Sequence, residues 1–87
     1  MTPAEIRIKL ATLIAARISP RISAEQVQWD TRLRDQLGIH SRAMAELMCD
    51  IEETFGTALE ETDPARLVTL RDAVDAIVRE LQTKLAS

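Results

Sequence analysis

Four short runs spell out where helices begin, and their spacing constrains the fold more than anything else in the sequence. Thr2-Pro3-Ala4-Glu5 has a capping hydroxyl, a proline at the first helical position and an acid three residues after the cap. Ser23-Ala24-Glu25-Gln26 can cap a single turn, and Asp63-Pro64 pairs a cap with a proline start. Thr69-Leu70-Arg71-Asp72 resembles another capping box. Behind the first start, Ile6, Leu10, Leu13 and Ile14 make a helical stripe. That spacing predicts a helix from Pro3 to Arg17, ending before Pro20. A further helix is expected from Ser41 to Phe55, stopped by Gly56, with Met44, Leu47, Met48, Ile51 and Phe55 on one face. Asp63-Pro64 opens a short helix to Leu67, and Leu70, Val74, Ile77, Val78, Leu81 and Leu85 form the stripe of a last one.

Between the first two main helices, residues 18–40 keep no long helical period. Ile18, Ile22, Val27, Trp29, Leu33, Leu37 and Ile39 are spaced to pin a long ordered loop onto the core. Loops of this length in a small domain often carry function. Alanine, leucine, glutamate and arginine are abundant, and Trp29 and Phe55 are the only aromatics, a mix that favours helices over a sheet. The expectation is an all-α four-helix bundle, three main helices and one short one, with a long first loop. Residues 1–87 are read as a single domain, because 87 residues leave no room for two. A core of that size leaves little space for a large enclosed active site.

Chemistry is sparse. One cysteine excludes an internal disulfide, and one histidine excludes a multi-histidine metal site. No glycine-rich phosphate loop, catalytic triad or paired carboxylates stand out, so no catalytic residue and no metal ligand are assigned. Cys49 lies off the apolar stripe and reads as a partly buried small hydrophobe. Asp50, Glu52 and Glu53 around it oppose thiolate formation. Trp29 reads as a loop anchor. Met44 and Met48 read as core, with thioethers adaptable enough to meet a variable apolar guest. Residues 1–34 hold six basic and three acidic side chains, against five and eleven in residues 35–87. The acidic part repels nucleic acid and attracts basic protein surfaces. No secretory core or membrane-length apolar run is present, so a cytoplasmic setting and a monomer are expected.

Ser41 follows Gly38 and a short turn at an expected helix start. Its plain reading is an N-cap whose hydroxyl accepts a backbone N–H. The same position also suits an attached phosphate, because the helix dipole favours negative charge there. Glu46, Asp50 and Glu53 fall opposite the apolar stripe, where they are expected to be dispensable for folding. Arg42, four residues before Glu46, is placed to neutralise it partly.

The stretch Leu37-Gly38-Ile39-His40-Ser41-Arg42-Ala43-Met44-Ala45-Glu46-Leu47 resembles acyl carrier proteins. That family has a Leu-Gly-x-Asp-Ser-Leu motif, then Glu-Leu and Glu-Glu-x-Phe. Leu37, Gly38, Ser41, Glu46, Leu47, Glu52, Glu53 and Phe55 match it. Thr69-Leu70-Arg71-Asp72-Ala73-Val74 is similar to the family's Thr-Val-x-Asp-Ala-Val opening of the final helix. The resemblance implies a carrier, not an enzyme. Ser41 then takes a covalent phosphopantetheine arm from coenzyme A, and the arm's thiol holds an acyl or aminoacyl group as a thioester. The carrier would shuttle it between enzymes of fatty-acid, polyketide or related biosynthesis.

The implied partners are a phosphopantetheinyl transferase and acyl- or aminoacyl-loading and acyl-transfer enzymes. They would be met by Arg42, Glu46, Asp50 and Glu53 on the second helix. Two departures mark a specialised member. His40 stands where fatty-acid carriers have a magnesium-holding aspartate, although peptidyl carriers often have histidine there. Arg42 replaces leucine. The alternative is a carrier-like helical interaction module that is never modified.

Overall fold

Helix α1 spans Pro3–Ile18, α2 spans Ser41–Phe55 and α3 spans Leu70–Ala86. Single 3₁₀ turns at Ala24–Gln26 and Pro64–Arg66 interrupt the two connections. The computed structural model describes residues 2–18, 22–57, 59 and 62–86, with the backbone alone at 18 and 84–86. Pro20 and the side chains of Ile18 and Leu85 therefore lie outside the described residues. The described chain is all-helical apart from one isolated bridge, Arg32 to Thr69, which ties the first loop to the approach of α3. No described helix is long and apolar enough to cross a membrane.

The expected starts form as written. The Glu5 amide donates to Thr2 Oγ1 at 3.2 Å. At α3 the Asp72 amide donates to Thr69 Oγ1 at 3.3 Å, and Asp72 Oδ2 accepts the Thr69 amide at 3.0 Å. Two further amides at that start are taken up by the first loop: Leu70 donates to the Thr31 carbonyl and Arg71 to the Trp29 carbonyl. Gln26 Oε1 accepts the Ser23 amide at 2.8 Å, closing the first 3₁₀ turn. Asp63 caps the second by accepting the Ala65 amide at 2.9 Å. The short helix expected from Asp63-Pro64 is thus one 3₁₀ turn, since three residues cannot close an α-helical turn. Gly56 ends α2 in the left-handed region at φ 70°, where a side chain would cost about 1 kcal/mol.

The core is continuous. Ile6, Leu10 and Ile14 of α1 meet Leu47 and Ile51 of α2 and Leu70, Val74 and Ile77 of α3, all nearly inaccessible to water. Each such side chain contributes roughly 1.5–3 kcal/mol relative to exposure. Ala11, Ala73 and Ala76 are buried beside them, small residues that let α1 and α3 approach closely. Val27, Leu33 and Ile39 of the first loop are buried as deeply as the helix residues. This loop is therefore part of the core. Its backbone agrees: Leu33 donates to the Val68 carbonyl at 2.8 Å, and Ile39 to the Leu33 carbonyl at 2.9 Å. Trp29 is half-buried against the core, as a loop anchor should be. Its ring lies between the guanidinium groups of Arg7 and Arg71, 5.6 and 5.3 Å from the centroid. These cation–π contacts link α1, the loop and α3.

Candidate functional site

Ser41 is the first residue of α2, one position inside the helix rather than its cap. The cap is His40, in extended conformation at φ −89° and ψ −174°, and its side chain makes no capping bond. This corrects the reading of Ser41 as an N-cap. The Met44 amide already donates to the His40 carbonyl, so the helical ladder starts one residue earlier than a capping serine allows. Ser41 Oγ has no hydrogen-bond partner among the described residues, and the residue is exposed. The starts of α1 and α3 are closed by threonine hydroxyls, whereas the start of α2 has no side-chain cap.

The turn leading to Ser41 is rigid for identifiable reasons. Gly38 has φ 70°, a region that excludes most side chains. Its amide donates to the Arg34 carbonyl at 3.0 Å. The next residue, Ile39, is buried in the core. His40 then projects outward and accepts a hydrogen bond at Nδ1 from Arg34 Nε, at 3.3 Å. Exposed His40 and Ser41 thus follow directly on a left-handed glycine and an anchored isoleucine.

Ser41 also borders a cleft of about 580 Å³ between the start of α2 and the second 3₁₀ turn. Met44, Met48, Ile39, Leu67 and Val68 supply its apolar wall, with Arg34 and His40 also on the lining. Met44 is buried and Met48 only partly so. The pair serves both the core and the cleft wall. Val68, on the far side, is one of the few large apolar side chains left exposed.

The outward face of α2 differs from the expectation. Arg17, at the end of α1, reaches across to it. Its Nε donates to Asp50 Oδ2 at 2.7 Å, its Nη1 to Glu46 Oε2 at 2.6 Å and its Nη2 to the Glu46 carbonyl at 3.1 Å. The Arg17 and Asp50 side chains are 26% and 30% exposed. Glu46 and Asp50 are therefore not free charges, because their carboxylates join α2 to α1. Arg42 does approach Glu46, at 3.6 Å, while itself 96% exposed. Glu53 is exposed with no ion pair among the described residues. Cys49 is exposed, not partly buried as its sequence position suggested. It lies five residues after Met44, which turns it about 140° from the centre of the apolar stripe.

One prediction follows from the Arg17 contacts. Asp50→Lys places two cations together and is expected to lower the melting temperature by about 5–15 °C. Glu53→Lys is expected to leave it within about 3 °C. Thermal unfolding followed by circular dichroism separates the two; equal melting temperatures would show that the Arg17 contacts are not formed in solution.

Comparison with known proteins places this geometry. Residues 9–77 match a family model described as a phosphopantetheine attachment site. The acyl carrier protein of Lactobacillus johnsonii is 34% identical over 77 residues, covering 88% of this chain and 94% of that one. The acyl carrier protein of Chlorobium luteolum is 29% identical over 80 residues, covering 92% of this chain and all of its own. The solved structure of the acyl carrier protein from Enterococcus faecalis is 31% identical with a TM-score of 0.74, covering 92% of this chain and 99% of that one.

Proposed function

This chain belongs to the acyl carrier protein family, defined by a phosphopantetheine attachment site, and from that premise we propose that Ser41 is the attached residue. The protein is a carrier of acyl groups on covalent phosphopantetheine; it is not an enzyme, and it works with biosynthetic enzymes. The observation that supports Ser41 is its exposed, unpartnered hydroxyl at the uncapped start of α2, held by the Gly38 turn and beside the apolar cleft.

The residues present fit the group. An anionic phosphodiester on Ser41 Oγ would lie at the positive end of α2, where no side-chain cap competes for the first amides. Arg34, bonded to His40, brings a cation to the same cleft. When bound, the arm supplies a terminal thiol that holds the cargo as a thioester. Met44, Met48, Leu67 and Val68 offer that cargo an apolar wall. The Ser41 hydroxyl is the nucleophile in attachment: its oxygen would bond to the phosphorus that carries the pantetheine, the pyrophosphate P–O bond of coenzyme A would break, adenosine 3′,5′-bisphosphate would leave, and the hydroxyl proton would be lost. Among the described residues none stands within hydrogen-bond distance of Oγ to take that proton, and on this reading the transferase supplies the base.

The partners of this reading are a phosphopantetheinyl transferase and acyl- or aminoacyl-loading and acyl-transfer enzymes, met in the cytoplasm. The docking face is the outward side of α2, through Arg42, Glu46, Asp50 and Glu53. Incubation with an acyl-coenzyme A and a broad-specificity transferase is expected to add one acyl-phosphopantetheine. Hydroxylamine should then strip the acyl group and leave the arm. Failure with several transferases would instead favour an unmodified interaction module.

His40 and Arg42 bear on which transferase accepts the chain. Arg42, exposed and 3.6 Å from Glu46, stands where the family's leucine would offer an apolar contact. His40→Asp with Arg42→Leu is expected to speed modification by a transferase for fatty-acid carriers by about three- to tenfold. Equal initial rates for the wild type and the double variant would show that this transferase does not read the two positions.

A further inference from the structure

The Arg17 guanidinium, at the end of α1, lies against the carboxylates that α2 would offer a partner. All three of its nitrogens are engaged: Nε with Asp50, Nη1 with the Glu46 carboxylate and Nη2 with the Glu46 carbonyl. Glu46 is further approached by Arg42. The outward side of α2 therefore presents two arginines against three acids, and the two acids nearer Ser41 are both paired. Glu53, toward the far end of the helix, is left exposed and unpaired among the described residues. A lysine or arginine on a partner that sought Glu46 or Asp50 would meet carboxylates already bonded to a guanidinium, through Oε2 at 2.6 Å and Oδ2 at 2.7 Å, with the Glu46 side chain 49% exposed. Charge-assisted bonds of this length are among the stronger ones at a surface, and an incoming cation would also meet the positive charge of Arg17.

We infer that Arg17 is a specificity-determining residue: it masks Glu46 and Asp50, and so disfavours partners that dock through basic side chains near Ser41. Arg17 touches neither arm nor cargo. It acts through the two carboxylates and belongs to α1, 29 and 33 residues away in sequence. The inference rests on the outward side of α2 being the docking face. It adds that Glu46 and Asp50 are already engaged from within the chain, which leaves Glu53 as the unpaired one of these three acids among the described residues.

The test uses the full chain and a broad-specificity phosphopantetheinyl transferase whose carrier-facing surface is basic. Labelling from coenzyme A is measured for kcat and KM at low and high salt. Arg17→Gln keeps an amide donor on a shorter side chain and removes the charge. It is expected to lower KM about three- to tenfold at low salt with kcat unchanged, and to lose that advantage at high salt, where the unmasked carboxylates are screened. Arg17→Lys restores the positive charge and should return KM toward the wild-type value. Arg17→Gln combined with Glu46→Gln and Asp50→Asn removes what was unmasked and should abolish the gain. Arg17→Ala repeats the comparison if the glutamine variant does not fold. A purely structural role for Arg17 would change melting temperature without this salt-dependent change in KM. The inference is overturned if Arg17→Gln and Arg17→Ala keep or raise KM while Glu53→Lys raises it, since the face is then used without masking. If Glu53→Lys also leaves KM unchanged, the docking face lies elsewhere and both readings fail.

Discussion

Ser41→Ala is expected to abolish coenzyme A-dependent labelling entirely while leaving the fold intact. The loss is total because the attached group needs an oxygen nucleophile, and alanine has none. The fold survives because of what Ser41 does not do. It is not the cap of α2, its hydroxyl has no partner among the described residues, and it is exposed. Replacing a true serine cap costs about 1 kcal/mol. At the first helical position, with no bond to lose, alanine should change stability by less than about 0.5 kcal/mol. Unchanged helical circular dichroism beside a blank labelling experiment is the expected pair. Labelling that persists in the variant would move the attachment site off Ser41.

Leu33→Ala is the substitution expected to cost most in stability. Leu33 belongs to no helix, yet it is fully buried. Its amide donates to the Val68 carbonyl and its carbonyl accepts from the Ile39 amide, so it joins the loop, the approach to α3 and the turn before Ser41. Truncating a buried leucine leaves a cavity and costs about 2–5 kcal/mol. A domain of this length has little stability in reserve, so the melting temperature should fall by about 10–30 °C. Arg34→Ala, one residue on and exposed, should cost less than about 1 kcal/mol. Urea unfolding of the two variants separates these outcomes. A cost below about 1 kcal/mol for Leu33→Ala would mean that the first loop is not built into the core.

Much of this was legible in the chain. Thr2 and Thr69 cap helices because hydroxyls accept backbone amides wherever sequence places them at a start. Gly56 ends α2 because its αL conformation excludes other residues. The apolar stripe of α2 follows from helical period alone, and Leu33 and Ile39 were expected to pin the loop. The Ser41 position was legible to within one residue. The shift from cap to first helical position depends on the backbone angles of His40, which composition does not encode. Exposure of Cys49 could have been read from its angle to Met44. The Arg17 contacts had no local signal, since they arise only when the end of α1 packs beside α2. The same holds for the Arg34–His40 bond and for the cleft, both created by folding the loop against α2.

The central claim is that this carrier holds its arm on Ser41. The most direct measurement is mass spectrometry of the intact wild-type chain after incubation with coenzyme A and a transferase, followed by fragmentation of the peptide that spans Gly38 to Met44. One phosphopantetheine per chain is expected, with fragment ions locating it on Ser41. A chain left unmodified by every transferase tried, or an adduct located on another residue, would contradict it.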